Sequence, residues 1–151
     1  MIKLMRMAAE AERLILVVDT NSDHVRTIER ALNENAGQYQ LVAIADSDQA
    51  LDFLHQRGNY ETAARPDLIL LELNLPEKDG QVVLADIKAT PSLRRIPIVI
   101  LTLSDRESDV FSTYSLQGNC YVVKSSDLEQ LYQLVKRIEE FWLGIVTLPV
   151  D

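Results

Sequence analysis

Short unbroken apolar runs alternate with stretches of helical periodicity from residue 14 to residue 143. Leu14-Ile15-Leu16-Val17-Val18 ends at Asp19, Leu41-Val42-Ala43-Ile44 follows, and Leu68-Ile69-Leu70-Leu71 ends at Glu72. Ile98-Val99-Ile100-Leu101 ends at Thr102, and Tyr121-Val122-Val123 ends at Lys124. Runs of this length without polar alternation fit strands covered on both faces. Between them, Val25, Ile28 and Leu32 keep helical spacing up to a stop at Gly37, and Ala50, Leu51, Phe53 and Leu54 predict a short helix ending near Gly58. Val83, Leu84 and Ile87 mark a third helix, and Ser104 with Glu107 forms a capping-box signature for a fourth that stops near Gly118. Ser126 with Glu129 forms another, opening the last helix. Five strands alternating with five helices predict an α/β domain with a parallel sheet and helices on both faces.

Composition narrows the function. The chain has 151 residues, 47% hydrophobic and 25% charged, enough for one domain with its own core. A formal net charge of -8 disfavours nucleic acid, which needs a basic face, and anionic membrane. Cys120 is the single cysteine, so no internal disulfide forms, and neither a signal peptide nor an apolar stretch long enough to span a bilayer is read. A cytoplasmic location is the expectation. Cys120 is expected in the core, and His24 and His55, lacking metal-ligand spacing, on the surface.

In parallel α/β sheets, chemistry gathers outside the carboxyl ends of the strands. Asp19, Glu72, Thr102 and Lys124 all fall there. Their order, with PDLILLELNLPEKDG from Pro66 to Gly80 as the sharpest stretch, resembles the receiver domain of response regulators over about residues 14–140. The resemblance implies a flavodoxin-like fold with strand order 2-1-3-4-5 and a phosphorelay function without catalytic turnover. It places Glu72 at the phosphoacceptor position, where the family has Asp, and Asp19, Thr20 and Asn74 at the acidic and metal-binding positions. Thr102 and Lys124 fall on the groups that steady a transferred phosphoryl group, and Tyr121 on an aromatic switch position. Ser125 replaces a proline that often follows the lysine, which puts the family's cis peptide in question.

Two of these positions depart from the pattern. Thr20 removes a formal charge, so Mg²⁺ binding is expected to weaken, and no other cofactor is expected. Glu72 extends the carboxylate by one methylene, and a misplacement of roughly 1 Å costs about a hundredfold in rate. Little or no phosphorylation is therefore expected, with Glu72 reaching toward Lys124 and Thr102 and holding the pocket in one state, active-like or inactive-like. A structural Glu72–Lys124 ion pair is the plainer alternative.

The last helix carries Leu128, Leu131, Tyr132, Val135, Ile138 and Trp142 on one stripe, widened by Leu134, Phe141 and Ile145. The apolar arc spans about 200°, roughly twice what a surface helix needs. LVKRIEEFWLGIVTLP resembles the C-terminal extension of cyanobacterial phytochrome response regulators, which implies a homodimer and a phytochrome-like histidine kinase or a downstream protein as partner. Leu134, Phe141, Trp142, Ile145 and Leu148 are the interface candidates. The expected organisation is an extension at 1–13, a receiver domain at 14–143 and an apolar tail at 144–151. Two other functions stay open: a phosphorylation-competent receiver of such a kinase, and a haloacid-dehalogenase-like phosphatase built on Asp19-Thr20-Asn21, in which Asn21 stands where a second acid is required.

Overall fold

The first apolar run forms β1, Arg13–Val18, an interior strand of a parallel sheet. The computed structural model describes residues 13–34, 39–76, 79–106, 108–110, 114 and 120–145, without the side chains of 144 and 145. Further strands are β2 (Tyr39–Ile44), β3 (Leu68–Leu71), β4 (Ile98–Thr102) and β5 (Cys120–Val123), in the order β2-β1-β3-β4-β5. The helices are α1 (Ser22–Asn33), α2 (Ser47–Leu54), α3 (Gly80–Ala89) and α4 (Leu128–Glu139), the last continuing as a π-helical turn over Glu140–Ile145. Residues 108–110 are helical, but Gly37, Glu107 and Gly118 lie outside the described residues, as do most of the 1–13 extension and of the 144–151 tail.

The period-2 geometry of a strand explains why these runs are apolar throughout. Leu16, Val18, Ile69, Leu71, Ile98 and Ile100 face α2 and α3, with Leu51, Leu54, Val83, Leu84 and Ile87. Ile15, Val17, Leu68, Leu70, Val99 and Leu101 face α1 and α4, with Ile28, Leu32, Leu131, Val135 and Ile138. Each strand therefore feeds two cores. Lys136 ties α4 to α1: its ammonium donates to the Ala31 carbonyl at 3.1 Å and pairs with Glu34 at 3.2 Å and Glu139 at 2.8 Å.

Helix starts follow the strongest local acceptor. Asn21 caps α1, Asp46 caps α2 and Asp79 caps α3. At α4 the cap is Asp127, which accepts from the Gln130 amide at 3.0 Å, and not the expected Ser126. A carboxylate three residues ahead of that amide outcompetes the capping box one residue earlier. Gly80, the first residue of α3, sits against the turn after β3; a Cβ there would collide with the Glu72 carbonyl and lie 2.7 Å from the Leu73 Cα. No helix among the described residues is long and apolar enough to cross a membrane.

Candidate functional site

Parallel register brings the strand ends together. Val18 pairs with Leu71, Leu71 with Ile100, and Thr102 with Val123. Ladder bonds continue into the site: the Glu72 amide donates to the Val18 carbonyl at 2.9 Å and the Lys124 amide to the Thr102 carbonyl at 2.7 Å. Asp19, Glu72, Thr102 and Lys124 are consequently neighbours, and all four are buried.

Lys124 is the hub, with a side chain 1% exposed. Its ammonium lies 2.5 Å from Asp19 Oδ2 and 3.0 Å from Glu72 Oε1. Asp19 Oδ1 accepts from the Asn21 amide at 2.9 Å. Glu72 curls over the turn that follows it, its Oε2 accepting from the Leu73 amide at 2.7 Å and the Asn74 amide at 3.1 Å. The same oxygen takes the Thr102 hydroxyl. Every carboxylate oxygen in the pocket is thus engaged, as buried charge requires.

A second chain of bonds leads outward from Thr102. The Ser104 amide lies 3.4 Å from the Thr102 hydroxyl oxygen, and the Tyr121 hydroxyl donates to the Ser104 carbonyl at 2.7 Å. Tyr121 is half-buried against the α2–α3 core, and its phenol is pushed up, first by burial. Ser104 also donates to Asp109 at 2.5 Å, which holds that carboxyl below its usual range. Among the described residues no peptide bond is cis, so the Lys124–Ser125 bond is trans.

Thr20 and Asn74 border this cluster: Thr20 follows Asp19 in the chain, and the Asn74 amide donates to Glu72. Both are exposed and line a cleft of about 490 Å³ with Leu75, Pro76 and Asp79. The donor set does not fit a divalent cation of the Mg²⁺ type, which asks for near-octahedral oxygen ligation. Asp19 and Glu72 turn their oxygens to Lys124, hydroxyl and amide donors, and Thr20 adds no charge. Among the described residues no group of three or more His, Cys, Asp or Glu side chains is placed to hold a metal ion.

His24 corrects one expectation. It is 5% exposed, and its Nδ1 finds no hydrogen-bond partner among the described residues. Burial, then the charge of Lys124, hold its pKa below the usual 6.5, with Asp19 and Glu72 acting in the opposite direction. The signal was present in the sequence: His24 precedes Ile28 by four residues and so belongs to the inward stripe of α1. His55 is half-buried, its Nε2 2.6 Å from Asp86 Oδ1.

The interface candidates divide. Leu134 is half-buried and lines a groove with Val123, Glu129 and Arg137. Phe141 is 51% exposed, whereas Trp142 packs on the α1–α4 core and meets Phe141 edge-to-face at 5.3 Å. The Ile145 side chain and Leu148 lie outside the described residues.

A model of the response regulator receiver domain matches residues 15–136. The chain is 46% identical over 137 residues to response regulator Rcp1 of Synechocystis sp., covering 91% of this chain and 93% of Rcp1. It is 36% identical over 140 residues to the probable methanogenesis regulatory protein FilR2 of Methanothrix harundinacea, covering 91% and 88%. Among solved structures, the phosphorylated cyanobacterial phytochrome response regulator RcpA matches with a TM-score of 0.91 at 48% identity, covering 93% of this chain and 100% of that one. The Mn²⁺-bound form of Rcp1 matches with a TM-score of 0.88 at 46% identity, covering 91% and 99%.

Proposed function

The chain belongs to the response regulator receiver domain family, and from that membership we propose that it is an atypical receiver whose signalling state does not wait for a phosphoryl group. Receivers of this family are two-component signalling modules related here to phytochrome response regulators, so the phosphatase alternative drops away.

One observation carries the reading. The Glu72 carboxylate is held by Thr102 and Lys124, the two groups that would steady a phosphoryl group on a shorter acceptor. Glu72 supplies the negative charge in place of phosphate, and Thr102, Ser104 and Tyr121 follow it into one arrangement. The state held is the active-like one, because both phosphate-steadying groups are already engaged.

The output surface is made of protein contacts. Phe141 and the Leu134 groove on α4 support a homodimer, and a phytochrome-type histidine kinase or a downstream protein is the further partner class. Sedimentation of the Phe141→Ser variant tests the dimer better than truncation, because truncation would also remove Trp142, which packs against the core. A dimeric parent and a monomeric variant support it; a monomeric parent rejects it.

The clamp itself is tested by replacing Glu72 with Gln and with Asp and following the Thr102 methyl and Tyr121 ring signals by NMR. Movement of the Tyr121 signals in both variants supports it. If only Glu72 and Lys124 respond, the pair is a structural ion pair and nothing more.

A further inference from the structure

We infer that Lys124 is the resident cation of this pocket, that the pocket takes no divalent metal, and that Thr20 decides this. The inference rests on the same Glu72 contacts as the clamp but concerns a different property. Two buried carboxylates, Asp19 and Glu72, share one buried ammonium at 2.5 Å and 3.0 Å, which leaves a single net negative charge. A dication added to that set would leave the buried site with net positive charge, and it would have to displace Lys124 from both carboxylates.

Coordination leads to the same conclusion. A hard divalent cation needs about six oxygens, with carboxylates as the charged ones. Asp19 Oδ1 is committed to the Asn21 amide, and Glu72 Oε2 to the Leu73 and Asn74 amides and the Thr102 hydroxyl. The other oxygens, Oδ2 of Asp19 and Oε1 of Glu72, are bound to Lys124. Thr20 follows Asp19 in the chain, is exposed, and lines one cleft with Asn74. A carboxylate there would restore the missing charge at an exposed position next to Asp19 in the chain. The relative Rcp1 has been solved in an Mn²⁺-bound form, so the inference marks a divergence within the family.

The test is Mn²⁺ titration of the full chain, read by paramagnetic broadening of assigned amide signals. That readout separates the pocket from the acidic surface. In the parent, amides of Asp19, Thr20 and Asn74 should broaden no more than surface amides. In Thr20→Asp those three should broaden selectively, at Mn²⁺ concentrations lower by about tenfold or more, the expected sense for an added charged ligand. Thr20→Asn, which adds no charge, should behave as the parent does, and circular dichroism should show all three folded. Selective pocket broadening in the parent overturns the inference, as does a folded Thr20→Asp variant that gains none. A parent that binds Mn²⁺ yet accepts no phosphate would defeat this inference and leave the clamp standing; a phosphate adduct on a parent without pocket broadening would do the reverse.

Discussion

Thr102 donates its hydroxyl to the carboxylate of Glu72, a residue 30 positions earlier at the end of the neighbouring strand. The contact joins the pocket to the outer loop, because the same hydroxyl oxygen faces the Ser104 amide and Ser104 holds Tyr121. Thr102→Val keeps the shape and removes the donor. Glu72 retains two amide donors, so the cost should be modest, about 1–2 kcal/mol in urea unfolding. The Tyr121 ring signals should nonetheless shift; unchanged signals would show that Thr102 does not transmit the position of Glu72.

Lys124 is the costliest residue of the site to remove. Lys124→Met leaves two buried carboxylates facing one another without a cation, and should destabilise by about 3–5 kcal/mol. Adding Glu72→Gln removes one of the two charges and should recover part of that loss. A single variant as stable as the parent in denaturant titration would mean that water enters the pocket freely.

His24 makes stability depend on pH. Its folded pKa lies below the usual 6.5 because burial and Lys124 disfavour the imidazolium. As pH falls through about 6.5 the unfolded chain binds the proton first, so stability is full above that value and declines below it. The decline should stop once pH passes the lower folded pKa. His24→Leu should flatten this part of the profile relative to the parent in denaturant titrations from pH 7.5 to 5. An identical slope in both proteins would assign the effect to other groups.

Gly80 connects the fold to the site. A Cβ would press on the Glu72 carbonyl and the Leu73 backbone, which cannot rotate aside as a flexible side chain does. Gly80→Ala should therefore cost about 1–3 kcal/mol, the usual range for overpacking, and should move the Glu72 and Asn74 amide signals. Amide signals that stay in place in the Ala variant would show that the turn yields without disturbing Glu72.

The strands and their carboxyl-terminal residues were legible in the sequence because both cores demand unbroken apolar runs, and each run ends where polar residues begin. Asp19, Glu72, Thr102 and Lys124 group together in the sequence for that reason. What remained hidden depends on local competition. Ser126 and Asp127 both offer helix-capping oxygens, and the nearer carboxylate takes the Gln130 amide. His24 reads as a polar surface residue until its place four residues before Ile28 is set against the crowded strand ends. Trp142 is half-buried against the α1–α4 core, while Phe141 beside it in the π-helical turn is 51% exposed. The way Glu72 curls back onto two amides of its own turn has no sequence signature beyond the extra methylene.

Whether Glu72 accepts a phosphoryl group is read by intact mass after incubation with a small phosphodonor and Mg²⁺; the clamp, which holds its carboxylate on Thr102 and Lys124, excludes that step. The mass should stay unchanged. A stable increment of one phosphoryl group, mapped to Glu72, would contradict it.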